Sequence, residues 1–123
     1  MKLKLLILLA VVSGCAKKTT AVDENCIRYA DAYVSSIETA AANTINVSFP
    51  VNGGCGQFNK FVETTSGNTR TIKVNAVYKG CMCTMDIPTR TTTYQFKETK
   101  PGTYYLKFVS GQDQFITDTV VIK

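Results

Sequence analysis

The chain of 123 residues contains no histidine, no tryptophan and only three prolines. Without imidazole, the Ser-His-Asp and Cys-His nucleophile arrangements and the histidine zinc sites are excluded. Carboxylates are sparse: Asp23, Glu24, Asp31, Glu38, Glu63, Asp86, Glu98, Asp113 and Asp118 are the full set. No two of them stand at a recognisable spacing for a general acid and base. The glycine-rich run Gly53-Gly54-Cys55-Gly56 opens no strand-to-helix unit, which removes a phosphate cradle. Basic residues form no arginine cluster, which speaks against a nucleic-acid partner. No apolar run approaches the roughly 20 residues that span a bilayer. What remains is a chain with 45% apolar and 19% charged residues. That balance supports the packed core of a single domain rather than disorder. The expectation is a protein without enzymatic activity, cofactor or metal.

The first residues carry an address. Lys2 and Lys4 precede Leu5-Leu6-Ile7-Leu8-Leu9-Ala10-Val11-Val12, a basic start and a short apolar stretch of the kind that directs export. The stretch ends in Val12-Ser13-Gly14-Cys15, which resembles the lipobox of bacterial lipoproteins. The resemblance implies diacylation of Cys15 and cleavage just before it. Residues 1–14 are thus predicted to be a signal peptide and residues 15–25 a lipidated cysteine and polar tether, with the domain proper at 26–123. Cleavage removes Lys2 and Lys4 and lowers the net charge from +5 to +3. Two or three acyl chains, at about 0.8 kcal/mol per buried methylene, give a lasting membrane anchor. Position 16 is alanine rather than aspartate. By resemblance to enterobacterial sorting, this implies the outer membrane, on either its periplasmic face or the cell surface.

Beyond residue 26 the dominant period is two. Ile45, Val47, Phe49 and Val51 alternate with mostly polar residues, as do Ile72, Val74, Ala76 and Tyr78. Tyr94-Gln95-Phe96 and Tyr104-Tyr105-Leu106-Lys107-Phe108 repeat the pattern, the mark of strands with one wet face. Turn compositions punctuate the runs at Asn52-Gly53-Gly54, Ser66-Gly67-Asn68, Lys100-Pro101-Gly102 and Ser110-Gly111-Gln112-Asp113. Strands are predicted over roughly 27–36, 44–51, 58–65, 69–79, 91–97, 103–109 and 115–122. The first of these also satisfies a helical stripe through Ile27, Ala30, Val34, Ile37 and Ala41; strand is the preferred reading. Asp118 shares parity with Ile116, Val120 and Ile122, which suggests a bulge in the last strand. The spacing predicts an all-β fold: a single immunoglobulin-like antiparallel β-sandwich of about seven strands. Tyr104, just after a Pro-Gly turn, is either a tyrosine corner or a plain buried aromatic.

Three stretches carry a family likeness: Asn52-Gly53-Gly54-Cys55-Gly56-Gln57-Phe58, Tyr78-Lys79-Gly80-Cys81-Met82-Cys83-Thr84 and Gly102-Thr103-Tyr104-Tyr105-Leu106-Lys107-Phe108. Together they resemble small lipoproteins of Bacteroidota. The resemblance implies a β-sandwich lipoprotein and brings no catalytic residues.

With Cys15 acylated, Cys26, Cys55, Cys81 and Cys83 remain, an even number in an exported chain and the arithmetic of a disulfide framework. Strand alternation sends all four to one end of the sandwich, where the tether enters. Pairing Cys81 with Cys83 would close a strained ring. Cys55 with Cys81 and Cys26 with Cys83 is slightly preferred over the swapped pairs. The alternative chemistry is a metal- or thiol-handling site built on Cys81-Met82-Cys83.

Asp118-Thr119-Val120 resembles an acceptor for O-linked glycans in exported Bacteroidota proteins, provided Thr119 faces outward. Most aromatics fit inward positions, with Tyr33 and Tyr105 as the surface members. The expected role is a membrane-anchored interaction or structural module that meets a protein or glycan through its free end. The loops at that end are Glu38–Asn43, Ser66–Thr69 and Glu98–Gly102. Protease inhibition through presented loops is a further reading.

Overall fold

The computed structural model describes residues 26–123. The signal, the tether and Cys15 lie outside the described residues. Eight strands form among the described residues: β1 (Ile27–Ala32), β2 (Ser36–Ala41), β3 (Thr44–Pro50), β4 (Gly56–Ser66), β5 (Thr69–Lys79), β6 (Thr89–Gln95), β7 (Gly102–Gly111) and β8 (Gln114–Ile122). They make a five-stranded sheet of β1, β4, β5, β7 and β8 and a three-stranded sheet in the order β2-β3-β6. The all-β sandwich read from period two is the fold that forms. One pairing departs from the antiparallel rule. β7 runs parallel to the first residues of β5, Thr69 opposite Tyr105 through Ile72 opposite Phe108.

The predicted first strand is in fact two. Ile27–Ala32 pairs with β5, whereas Ser36–Ala41 pairs with β3 in the other sheet. Tyr33–Ser35 cross between the sheets, tied by the Val34 amide to the Val109 carbonyl (2.9 Å) and the Ser35 amide to the Ser48 carbonyl (2.8 Å). Ala30, Ala32 and Val34 turn inward in alternation and Ile37 follows half-buried, so the spacing of apolar residues runs on across the crossing and does not reveal it. Its cause is tertiary: β1 and β7 share one edge of β5, β1 along residues 74–79 and β7 along 69–72. β1 therefore has to leave that edge where β7 arrives.

The core fills the space between the sheets. Phe49, Phe108, Ile45, Ile72, Leu106, Val34, Val47, Val51 and Val74 are fully buried. Aromatic rings run through it as a chain, Phe49–Phe58–Phe61–Tyr94–Phe108, with centroid spacings of 6.1, 4.7, 5.2 and 5.5 Å. The last two contacts are edge-to-face, a geometry worth about 0.5–1.5 kcal/mol beyond area burial. Phe58 and Phe61 both face inward because the register shifts between Phe58 and Lys60, a bulge that re-aims alternate residues. The bulge expected at Asp118 is absent. Asp118 lies in regular register opposite Leu106, and the irregularity of that hairpin falls between Val109 and Gly111. The shift is needed at the turn, where Asp113 takes a positive φ of 55°.

Tyr104 resolves as a tyrosine corner. Its ring is buried and its hydroxyl donates to the Lys100 carbonyl at 2.8 Å, across the turn that starts β7. Tyr104→Phe keeps the ring and leaves that partly buried carbonyl without its donor. The expected loss is about 1 kcal/mol in urea unfolding, with an unchanged m-value.

Candidate functional site

The sandwich has two chemically different poles. At one, Cys26 is bonded to Cys81 (Cα–Cα 4.9 Å) and Cys55 to Cys83 (Cα–Cα 5.4 Å). All four cysteines share one end, as strand alternation predicts. The preferred pairing is overturned in favour of the swapped one, and the register explains why. Ile27 stands opposite Lys79, and the Gly80 amide donates to the Cys26 carbonyl (3.0 Å), so Cys26 is level with Cys81. Two residues further on, the chain has turned toward the start of β4, where the Gly54 amide donates to the Thr84 carbonyl (3.0 Å). That brings Cys83 to Cys55.

Several groups besides sulfur hold this pole. Gly80 has a φ of +140°, and a Cβ there would approach Cys55 Sγ to 2.9 Å, so only glycine lets the two bridges sit this close. Arg90 on β6 reaches out of the smaller sheet and donates from Nε to the Gly56 carbonyl (2.9 Å) and from Nη2 to the Gly54 carbonyl (3.0 Å). The Val51 amide donates to the Pro88 carbonyl (3.0 Å). The loop 80–88 is thus pinned at both ends and in its middle. Yet Met82, Met85 and Ile87 within it are 94%, 99% and 67% exposed. Because Cys81 and Cys83 each take a different sulfur partner, the C-x-C motif offers no thiolate pair in the oxidised protein. Among the described residues, no group of three or more His, Cys, Asp or Glu is placed to hold a metal ion.

The opposite pole gathers the three loops expected to form the free end. The Phe96 amide donates to the Asn43 carbonyl (2.8 Å), linking the β2–β3 turn to the end of β6. Asn68 joins the β4–β5 turn to β7, donating from Nδ2 to the Thr103 carbonyl and accepting from the Tyr105 amide, both at 2.9 Å. Arg70, which sequence reasoning did not single out, is the clasp. Its Nη2 lies 3.1 Å from Glu98 Oε2, its Nε 3.8 Å from Glu63 Oε1, and its Nη1 donates to the Gly67 carbonyl at 3.1 Å. The guanidinium also lies over the rings of Phe96 and Tyr104, at 5.9 and 5.5 Å. The only available sequence signal was its parity with Ile72 and Val74 on β5, a charge placed on a core face. Between the edge strands β2 and β8 opens a cleft of about 280 Å³, whose lining includes Thr39, Asn43, Ile45, Asp118 and Thr119.

Two groups at this pole titrate unusually. Burial first, and then its hydrogen bond to Glu63 Oε1 (2.8 Å), holds the Tyr94 hydroxyl well above its ordinary value. The amides of Lys100 and Thr99, with Arg70 beside them, hold the Glu98 carboxyl below the usual range. A raised folded-state pKa contributes stability that is complete below the unfolded value and is lost as pH climbs beyond it. The fold should therefore weaken above pH ~10, where an unfolded tyrosine ionises, and Tyr94→Phe should flatten that limb in denaturant titrations at neutral pH and at about pH 11. For Glu98 the sign reverses: its contribution is present above the ordinary carboxylate range and fades in acid, and Glu98→Gln should flatten the acid limb.

Thr119 meets its condition. It is exposed on the edge strand β8, directly opposite Tyr105 on the outer face of the larger sheet. Tyr33 and Tyr105 are exposed as expected, and Tyr29 and Phe115 join them, contrary to the inward positions read from the sequence. Phe115 stands in register with Val109 and Tyr29 with Val77, on the side of the sheet facing away from the core. Lys107 Nζ lies 4.3 Å from the Phe115 ring centroid.

Two sheets closed on an aromatic core, with crossed disulfides at one pole and a cleft between the edge strands β2 and β8 toward the other, define a stapled β-sandwich domain. The chain belongs to the ORF11 beta-sandwich domain family, whose family model matches residues 45–122, from the second residue of β3 to the last of β8. No curated protein and no solved structure matches the chain.

Proposed function

We propose that this protein is a lipoprotein of the bacterial cell envelope, anchored through Cys15 at the outer membrane. It acts there as a non-enzymatic interaction or structural module. The observation that carries the reading is the polarity of the body. The chain arriving from Cys15 enters at Cys26, which is covalently held to Cys81. The three loops available to a partner gather at the far end around Asn43, Asn68 and Glu98. A module hung from one end and offering the other is suited to holding a protein or glycan at a fixed distance from a bilayer. Thr119, outward on β8, is the residue offered for an O-linked glycan; an intact mass accounting for polypeptide and lipid alone would remove that part.

The anchor is tested on protein extracted from membranes. Its first residue should be Cys15 carrying acyl mass, and labelled palmitate should enter the wild type and not the Cys15→Ser chain. The module role is tested with a photo-reactive side chain at Thr99, on the far pole, against one at Lys60, on the outer face of the larger sheet. A discrete cross-linked species from position 99 alone supports the reading, and none from either position overturns it.

A further inference from the structure

We infer that the loop 80–88 is a membrane-docking element whose apolar side chains Met82, Met85 and Ile87 enter the lipid surface beside the acyl anchor. The inference rests on the lipid-anchored reading of Cys15 and extends it from a leash to a seated orientation.

The first argument is exposure without freedom. Met82, Met85 and Ile87 are almost fully or largely exposed, while the loop that bears them is fixed at Cys81, Cys83, Thr84 and Pro88. A loose loop would fold its methionines back against the sheet; here two disulfides and backbone hydrogen bonds prevent it. Exposed apolar side chains held apart from the core mark a surface that another apolar phase covers. The loop contains one charged residue, Asp86, so charge does not oppose entry strongly. Methionine suits this position, being unbranched and adaptable to a fluid phase.

The second argument identifies that phase. Residues outside the described body leave from Cys26, which is bonded to Cys81 within the loop itself. The segment from Cys15 to Cys26 reaches at most about 40 Å when extended. It is polar, with Lys17 and Lys18 next to the anchor. An acylated Cys15 therefore keeps this pole, rather than the one at Asn68 and Glu98, within reach of the bilayer. With the acyl chains already inserted, the loop meets the lipid at high effective concentration, so three modest side chains suffice where they would not for a free protein.

The mature chain makes the test direct, because Met1 departs with the signal and Met82 and Met85 are then its only methionines. The Thr99→Met protein, lipidated and added to preformed phosphatidylcholine vesicles, carries an internal reference at the opposite pole. Under dilute peroxide, Met82 and Met85 should oxidise about five-fold more slowly than the reference side chain, since sulfoxide formation follows exposure. As the chain lacks tryptophan, Met85→Trp adds a single emitter, which should be quenched by lipids brominated in the acyl chain, whereas Thr99→Trp should not. If the protein floats with the vesicles and all three methionines oxidise alike, the docking inference falls and the anchor stands. If it does not float, the anchor reading itself fails.

Discussion

Cys26→Ser combined with Cys81→Ser should lower the thermal midpoint by roughly 20 °C, with the remaining bridge intact. The bridge spans a sequence separation of 55 residues. In the chain-entropy treatment, closing such a loop restricts the unfolded ensemble by roughly 4 kcal/mol. The Cys55–Cys83 bridge, at a separation of 28, comes to roughly 3.5 kcal/mol by the same treatment. The two loops interleave along the chain, so the second removal adds less than its own figure. Against a total stability of about 5–15 kcal/mol for a domain of this size, loss of both leaves little in reserve. Calorimetry of the paired serine variants measures the effect. Peptide mapping of non-reduced protein should return Cys26 linked to Cys81 and Cys55 linked to Cys83.

Phe108→Ala should cost about 3–5 kcal/mol. The ring is fully buried on β7, meets Tyr94 edge-to-face at 5.5 Å, and pairs through its backbone with both Ile72 and Ile116. It thus stands where the parallel pairing to β5 and the β8 hairpin come together, and the surrounding strands are hydrogen-bonded on both sides. The cavity cannot collapse without shifting one of them, which places the expected loss at the upper part of that range. Phe115→Ala, the same deletion on the outer face, where the residue is 40% exposed and Lys107 Nζ lies 4.3 Å from the ring centroid, should cost about 1 kcal/mol. Urea unfolding of the two variants side by side separates burial from mere aromatic content.

The core face of β3, β5 and β7 was legible because each strand alternates cleanly over several residues. β6 was legible only at its end. Thr89-Arg90-Thr91-Thr92-Thr93 gives no apolar alternation, since Arg90 and Thr92 occupy its inward side near the rim of the sandwich. The tyrosine corner was visible as a motif, but whether its hydroxyl found a partner depended on the turn conformation. The poles were legible as a matter of parity: loops of a meandering chain alternate ends, so four cysteines in matching loops had to meet. Their partners were not. Cys81 and Cys83 stand two residues apart, and only the lateral placement of β1 and β4 on opposite edges of β5 separates one from the other.

Most strands and turns, the inward faces of β3, β5 and β7 and the shared end of the cysteines were determined by the sequence by itself, because a period of two and turn chemistry act between residues near each other in the chain and loop parity carries along it. Tertiary structure alone decided the crossing at Tyr33–Ser35, the parallel seam between β5 and β7, the disulfide partners and the clasp at Arg70. Each of those depends on which strand lies beside which. That choice follows from packing in three dimensions, where residues distant along the chain compete for the same edge.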